Sequence, residues 1–563
     1  MQTPTPLLCL CLALAWVTAA ASAPAAPCPP TAPCPDTLFV RQLQVPLLVE
    51  RQDNVLMELR LHASAPHHLD AITLTLSADT PPEAIRAIRL YYSGTDSRPP
   101  AASDTDALAG RWSPVDYIPA SRGGHTLAAD PSCSLLLSEV RPTDRVITLR
   151  ADRSLSAGMH FLWVSLQLQP DADLDVRLSA DLTAARADGL PLAVVAVTPP
   201  VHRRPAIGLR HAGDDGVAAY RIPGLVTTPR GTLLATYDVR RLSSADLQGA
   251  IDIGLSRSTT GGRSWEPMRI ALSMGEWGGL PKAQNGVGDP CILVDHATGD
   301  ILILALWTHG MGGRRAWTAS APGMDPAQTG QLLMVRSSDD GQTWSAPVNL
   351  TAQVKRPEWR LLLQGPGRGI CMADGTLVAP IQYIDADGLP HAGIIFSRDH
   401  GTTWTFHRPA RDNVTEAQVA EIAPGTLMLN MRDNRGGSRA VAITTDLGRT
   451  WTDHPSSRSA LIDPVCMAAL LAVEAEDNAS GRDLLLFSNP ADTSHRRDIT
   501  LRLSLDGGLT WPDHRQVLLD AGDCWGYSCL TLIDPTTVGI AYESSTAHII
   551  FQRISLEELL REP

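Results

Sequence analysis

One short motif, returning five times in the C-terminal two-thirds of the chain, constrains the fold more than any other feature. The windows are 258–265 (STTGGRSW), 337–344 (SSDDGQTW), 397–404 (SRDHGTTW), 444–451 (TTDLGRTW) and 504–511 (SLDGGLTW). They share the form [ST]-x-D-x-G-x-[ST]-W, with Thr260 in place of Asp in the first copy, and their tryptophans are 79, 60, 47 and 60 residues apart. A repeat at this spacing marks units that stack or are arranged radially. Within each copy the Asp suits hydrogen bonding to its own turn, the Gly relieves a tight backbone position, and the Trp packs beneath the loop. Alternating apolar stretches such as LLMVRS and ITLRLS flank the copies, as half-buried strands require. About 350 residues divided into units of about 50–60 gives six, so a six-bladed β-propeller is expected over 206–557.

The preceding stretch, 37–200, is also all-β. LFVRQLQVPLLVE, VLMELRLHAS, AITLTLSAD, RVITLRAD and HFLWVSLQLQP alternate apolar and polar positions between turn-formers, which predicts a β-sandwich with a spacer or carbohydrate-binding role. The segment TPPVHRRP at 198–205 reads as the boundary. Residues 1–23 have the apolar run and small-residue end (Ala21-Ser22-Ala23) of a secretory signal, and the proline-rich 24–36 reads as a linker. Export to the periplasm, the cell surface or the medium is therefore expected. No later segment is long and apolar enough to predict a transmembrane helix. Cys28, Cys34, Cys133, Cys291, Cys371, Cys466, Cys524 and Cys529 remain after the signal; Cys28 and Cys34 could pair, but spacing fixes no connectivity, and no zinc-ligand pattern occurs. Net charge is −13 over 563 residues, with no basic stripe, which argues against nucleic acid as a partner. Only two lysines occur, Lys282 and Lys355; arginine, a planar fork for carboxylates, supplies nearly all the positive charge.

The motif YRIPGL at 220–225, followed by these Asp-box turns, resembles the bacterial exo-α-sialidases of glycoside hydrolase family 33, and the resemblance spans 206–557. It implies three arginines around a substrate carboxylate: Arg221 in YRIPGL, Arg432 in LMLNMRDNRGG and Arg496 in HRRDITLRLSLDGG. Glu543 in GIAYE matches the acid that holds the first arginine. Tyr527 in WGYSCLTLID matches the nucleophile, Glu416 in NVTEAQVAEI its base, and Asp246 in the loop after YDVRR the general acid/base. Arg240 and Asp289 match residues that contact the sugar. A phenol avoids the like-charge repulsion that a carboxylate nucleophile would meet at a carbon bearing a carboxylate; with an ordinary pKa of about 10 it needs a base.

The resemblance implies hydrolysis of terminal sialic acid from glycoproteins such as mucins, glycolipids and oligosaccharides, with retention through a tyrosyl-sialoside and with no metal or cofactor. Two alternatives use the same residues: a trans-sialidase, in which a sugar replaces water as acceptor, and a propeller that binds sialic acid without catalysis. Trp307 and Trp317 are candidates for an apolar wall, with blade packing the competing assignment. Asp252 alternates with Ile251 and Ile253 and reads as a strand residue. Oligomeric state and linkage preference are not encoded in these motifs.

Overall fold

A computed structural model of the protein describes residues 36–95, 115–118, 126–129 and 134–562. The expected leader and all but the last residue of the proline-rich segment lie outside the described residues, as do Cys28, Cys34 and Cys133.

The chain is all-β. Between 36 and 200 a six-stranded and a four-stranded sheet enclose one apolar core. The strand Val146–Leu155 shows why: Ile147, Leu149 and Ala151 are buried while Val146, Thr148 and Arg150 face solvent, a period of two that gives the sheet one inward face. Leu59, Leu61, Leu162 and Val164 of the larger sheet share that core with Ile72, Leu74, Ile147 and Leu149 of the smaller.

From 205 onward one two-stranded sheet pairs Gly437–Ser438 with Ile462–Asp463, and the other strands form six larger sheets, mainly antiparallel and mostly in chain order. Their first strands are Ala219–Thr227, Val287–Val294, Leu361–Gln364, Val414–Ala423, Ala469–Val473 and Ser528–Asp534. The sixth sheet is assembled from both ends of the region, because Pro205–Arg210 pairs with Ile549–Ser555, with Ile207 opposite Phe551. Leu47–Leu48, from the preceding region, then adds in parallel beside Pro205 and Ala206. The boundary segment is accordingly no free linker. Arg203 is buried and donates to the Leu56 carbonyl at 2.6 Å, and Arg204 and Arg177 both pair with Glu558. Asp175 bridges to Arg553 at 2.9 Å and to Arg263 at 3.1 Å.

The five repeat windows join the third strand of a sheet to its fourth. In the second copy Asp339 accepts from the amides of Gln342 and Thr343 (3.1 and 2.9 Å) and the hydroxyls of Ser337 and Thr343 (2.8 and 2.6 Å). Asp399, Asp446 and Asp506 accept from the amide and hydroxyl of the Thr four residues on. In the divergent first copy the Thr260 hydroxyl takes the Ser264 amide at 2.9 Å. The sixth sheet has no copy; its third strand runs into the short helix Leu556–Leu560.

One segment, Gly365-Pro366-Gly367-Arg368-Gly369, ties all six sheets together. The third sheet's innermost strand breaks after Gln364, and Gly367–Arg368 pairs in parallel with Cys291 and Ile292 of the second sheet before Ile370–Cys371 returns to the third. Gln418 of the fourth sheet donates to the Pro366 carbonyl at 2.6 Å, and Arg368 donates to the Leu530 carbonyl of the sixth at 3.1 Å. A Cβ on Gly224 of the first sheet would lie 2.6 Å from the Gly367 carbonyl, and one on Gly367 would lie 2.8 Å from Met467 beside the fifth. A side chain at Gly224 would meet the backbone of the neighbouring segment, and Gly367 has φ +104°, where an L side chain is strained.

Candidate active site

The start of each first strand and the end of each second strand lie at one end of the sheets. Every residue singled out for chemistry maps to that end. Arg221 is near the start of Ala219–Thr227 and pairs across the sheet with Asp238; Arg240 ends Leu233–Arg240. Asp246 lies on the loop from there to Ile251–Ser258. Asp289 is near the start of Val287–Val294, Glu416 near the start of Val414–Ala423, and Arg432 near the end of Thr426–Asp433. Arg496 is in the loop between Leu484–Pro490 and Ile499–Ser504; Tyr527 immediately precedes Ser528–Asp534, and Glu543 immediately follows Thr537–Tyr542. The repeat turns follow third strands and so lie at the opposite end.

Strand register breaks where these side chains need to turn. Irregularities fall between Arg221 and Gly224, between Gly288 and Cys291, and between Val414 and Ala417. Such bulges re-aim a side chain without ending the sheet. Ile222 and Asp289 have φ of 63° and 59°, a region disfavoured for both and most of all for a β-branched residue.

Glu543 is fully buried and organises one side of the site. Its carboxylate accepts from Arg221 Nε at 2.9 Å, Arg221 Nη2 at 3.2 Å, the Ile222 amide at 3.0 Å and the Tyr527 amide at 3.0 Å. One carboxylate therefore fixes the first arginine and the backbone of the phenol together. The Tyr527 hydroxyl donates to Glu416 Oε1 at 2.5 Å, and Arg432 Nη1 lies 2.6 Å from Glu416 Oε2 and 3.2 Å from the Tyr527 oxygen. Arg221 and Arg496 place their guanidinium carbons 5.2 and 5.8 Å from the centroid of the same ring. Arg496 is held by the Trp525 and Val465 carbonyls, both at 3.2 Å. Three arginines thus surround one tyrosine, and among the described residues Arg221 and Arg432 have a carboxylate partner while Arg496 has none.

Burial pushes the Tyr527 phenol well above its ordinary value; the charge of Glu416 adds to this, and Arg432 and Arg496 oppose it. The resting phenol is therefore neutral. For Arg221 and Arg432 burial works against the charge, but the adjoining carboxylates, Glu543 and Glu416, outweigh it and raise both. Cys466 packs with Ile222, Met467 and Tyr527, and burial raises its thiol to about 11, so it stays protonated beneath the site.

Across the cavity Arg240 grips Asp238 through Nε and Nη2 (3.1 and 2.9 Å) and reaches Asp246 Oδ1 at 2.8 Å. Asp246 Oδ1 also lies 3.9 Å from Arg221, while Oδ2 lies 2.6 Å from Arg315. Burial raises Asp246, but Arg240, Arg221 and Arg315 overcome it and hold the carboxyl below its ordinary value. Asp289 behaves oppositely: burial, with Asp238 beside it, raises it well above the carboxylate range. Burial raises Asp238 too, to about 6, but its two bonds from Arg240 favour the charged form, so of this adjoining pair Asp289 is pushed more strongly toward the neutral acid. Gln364 fixes the Asp289 backbone by donating to its carbonyl, and the Asp289 amide donates to Asp238 Oδ1 at 2.8 Å.

These groups line a cavity of about 540 Å³ that includes Asp246, Asp289, Glu416, Arg432, Tyr527 and Trp317. Trp307 is buried and packs edge-on against Trp277 at 4.8 Å, so of the two candidate tryptophans Trp317 faces the cavity. Asp252 lies in the strand Ile251–Ser258 and pairs with Arg241 and Lys282 (2.7 and 2.6 Å). Among the described residues no cluster of three His, Cys, Asp or Glu side chains is placed to hold a metal ion. Sequence reasoning missed Asp238, Gln364, Trp525 and Arg315: Asp238 and Trp525 lie within the segments YDVRR and WGYSCLTLID without a role assigned to them, and Gln364 and Arg315 lie outside the motifs singled out.

A buried phenol bonded to a carboxylate, ringed by arginines and facing a second carboxylate, defines a glycosidase site built for an acidic sugar. Residues 35–191 match the family described as the N-terminal domain of BNR-repeat neuraminidase, and residues 231–542 match the BNR repeat-like domain. A sialidase of Bacteroides fragilis (strain YCH46) is 53% identical over 93% of this chain and 96% of its own length. A sialidase of Micromonospora viridifaciens is 34% identical over 59% of this chain and 51% of its own. The solved structure titled Hadza microbial sialidase Hz136 superposes with a TM-score of 0.86 at 54% identity, covering 92% of this chain and 99% of that one. The chain belongs to the bacterial sialidases of glycoside hydrolase family 33, the exo-α-sialidase class of glycosidases.

Proposed function

We propose that the chain releases terminal sialic acid from glycoproteins, glycolipids and oligosaccharides by a retaining mechanism in which Tyr527 is the nucleophile. The observation that carries this is the 2.5 Å bond from Tyr527 to Glu416 inside the arginine cluster. Sialidases are a recognised exception to the carboxylate pair of most glycosidases, with tyrosine as nucleophile. The substrate carboxylate is bound by Arg221, Arg432 and Arg496, with Glu543 keeping Arg221 in place. Charge-assisted, forked hydrogen bonds suit a planar acid, and Arg496, lacking a carboxylate of its own, has the most to gain.

Each bond change has a residue here. Tyr527 Oη attacks the anomeric carbon as its proton passes to Glu416. The bond to the leaving oxygen breaks and Asp246 delivers a proton to that oxygen. In the second half Asp246 takes a proton from water, the water oxygen displaces Tyr527, and Glu416 returns the phenol proton. Two displacements give overall retention. Asp246 is held low in the free site by three arginines; a bound substrate carboxylate neutralises part of that field and favours the protonated acid the first step needs. Asp289, neutral and beside Arg240, presents a proton to a hydroxyl on the sugar ring.

The six sheets are the blades of a closed propeller, a reading supported by the sixth sheet's use of strands from both ends of the region. Residues 1–23 direct export, to the periplasm, the cell surface or the medium, and mucins are a fitting substrate for such an enzyme. The test is stereochemical: proton NMR of the first turnovers is expected to show the α-anomer of free sialic acid before it mutarotates. Appearance of the β-anomer first would rule out the double displacement.

A further inference from the structure

We infer that Arg315, on the rim beside Asp246, makes a leaving-group subsite that favours sialosides whose next sugar is itself anionic, through a carboxylate or a sulfate. The inference rests on the sialidase reading and extends it from the sugar that is removed to the sugar that departs.

Asp246 presents two different oxygens. Oδ1 faces inward and is taken up by Arg240 at 2.8 Å and Arg221 at 3.9 Å. Oδ2 faces outward, where Arg315 Nη2 meets it at 2.6 Å. A general acid has to lie within hydrogen-bond reach of the oxygen it protonates. Oδ1 is held by the buried Arg240, whereas the outer oxygen is held by the exposed Arg315, so the outer oxygen is the one that can be released to serve the glycosidic bond, with the leaving sugar next to Arg315. The Arg315 side chain is 69% exposed, and its bond to Asp246 uses one of the five donors of a guanidinium. The guanidinium therefore keeps donors to offer a substituent on the leaving sugar.

The carboxylates lining the cavity are Asp246, Asp289 and Glu416, and the first of them pairs with Arg315. Arg314 next to it is exposed, and the neighbouring lining residues are Trp317, Thr318, Pro390, Asn413 and Asn434. Trp317, 39% exposed, offers a flat apolar face for a pyranose ring. The segment is anchored: the Ala316 amide donates to the Leu247 carbonyl at 2.8 Å, and Ala316 is buried among Leu247, Leu306 and Leu361. The backbone that carries Arg315 is therefore fixed beside the acid, while its exposed side chain is free to swing. An anion on the leaving sugar would draw Arg315 toward itself and away from Asp246, so leaving-group recognition and the state of the acid are linked.

The test compares kcat/KM for α2,3-sialyl-N-acetyllactosamine with and without a 6-sulfate on its galactose, and for α2,8-disialyllactose. The sulfated pair shares one linkage, and the two anionic substrates separate sulfate from carboxylate as the favoured source. Wild-type enzyme is expected to prefer the sulfated substrate about fivefold at low salt, a preference falling toward parity at high salt. Arg315→Gln is expected to bring the ratio near one, and Arg315→Lys to restore part of it. A wild-type ratio at or below one, or a ratio that Arg315→Gln leaves intact, would overturn the subsite while leaving the sialidase reading standing. Inactivity of the wild type on all three substrates would overturn both.

Discussion

The two ends of the six C-terminal sheets treat ionisable groups in opposite ways. At the turn end Asp339, Asp399 and Asp446 sit near solvent and are held down to about 2 by hydrogen bonds from Thr343, Thr403 and Thr450, each four residues along the chain. At the other end Tyr527 and Asp289 are pushed up by burial, and their partners come from far away. Arg221 and Glu543 are 322 residues apart, Tyr527 and Glu416 111, and Arg432 and Tyr527 95. One end uses carboxylates to satisfy backbone locally. The other assembles charges that only the folded chain can bring together, and burial there favours the protonated form of Asp289, a group that would be ionised in water. Stability and chemistry are thereby separated along the length of the same strands.

The sharpest way to break this comparison is at the phenol. Tyr527→Phe keeps the ring between the arginines but removes the oxygen, and is expected to lower kcat on a fluorogenic sialoside by on the order of 10⁴-fold, with Tm nearly unchanged. Near-normal turnover would mean the tyrosine does not react. Glu543→Gln follows, because it leaves Arg221 buried without its counter-charge. Breaking a buried pair costs about 3–5 kcal/mol, so both kcat/KM, by roughly 10²-fold, and the denaturation midpoint are expected to fall.

Asp238 and Asp289 sharpen the comparison within the catalytic end. With the proton on Asp289, Asp289→Asn is expected to raise KM by less than about tenfold, because an amide still donates. Asp238→Asn strips Arg240 of its bidentate partner and is expected to cost more than that; the reverse ranking in steady-state kinetics would place the proton on Asp238 instead. A smaller effect is expected from Arg315→Gln on the pH profile. Asp246 is held below its ordinary value by Arg240, Arg221 and Arg315, with Asp289 opposite, so removing Arg315 raises it. The alkaline limb of kcat/KM, which follows loss of the acid's proton, is expected to move to higher pH. A shift to lower pH would contradict that electrostatic assignment.

The smallest expected effect is at the turn end. Asp399 is depressed to about 2 mainly by the Thr403 hydroxyl, so it stabilises the fold above its unfolded value of about 4 and loses that contribution as pH falls through 2. Asp399→Asn is expected to lower Tm by roughly 1–3 °C at pH 7 and by nothing near pH 2, with activity at 25 °C unchanged. A large loss of activity would mean the two ends are not independent.

The same contrast explains what the sequence makes legible. The turns at 339–343, 399–403 and 446–450 can be read directly, because every partner lies within the motif. The alternation in Val146–Leu155 reveals its buried face for the same local reason. The site is different. Nothing near Arg221 in sequence indicates Glu543, and the pairing emerges only from resemblance to a family or from the fold. Arg315 and Asp238 lie outside any repeated motif and acquire their meaning from Asp246 and Arg240. The segment 365–369 reads as a glycine-rich loop, yet it touches every sheet, because its function is contact and not composition. The boundary at 198–205 is visible as proline and arginine, but burial of Arg203 and Arg204 against both regions is not.

Covalent capture of the intermediate tests the central claim most directly. With 2,3-difluorosialic acid, whose C2 fluoride leaves on attack and whose C3 fluorine slows the second displacement, the intact protein is expected to gain one 3-fluorosialosyl mass, mapped by peptide sequencing to Tyr527 and absent in Tyr527→Phe. An adduct on Glu416 or Asp246, or full inhibition with no adduct at all, would contradict a tyrosine nucleophile.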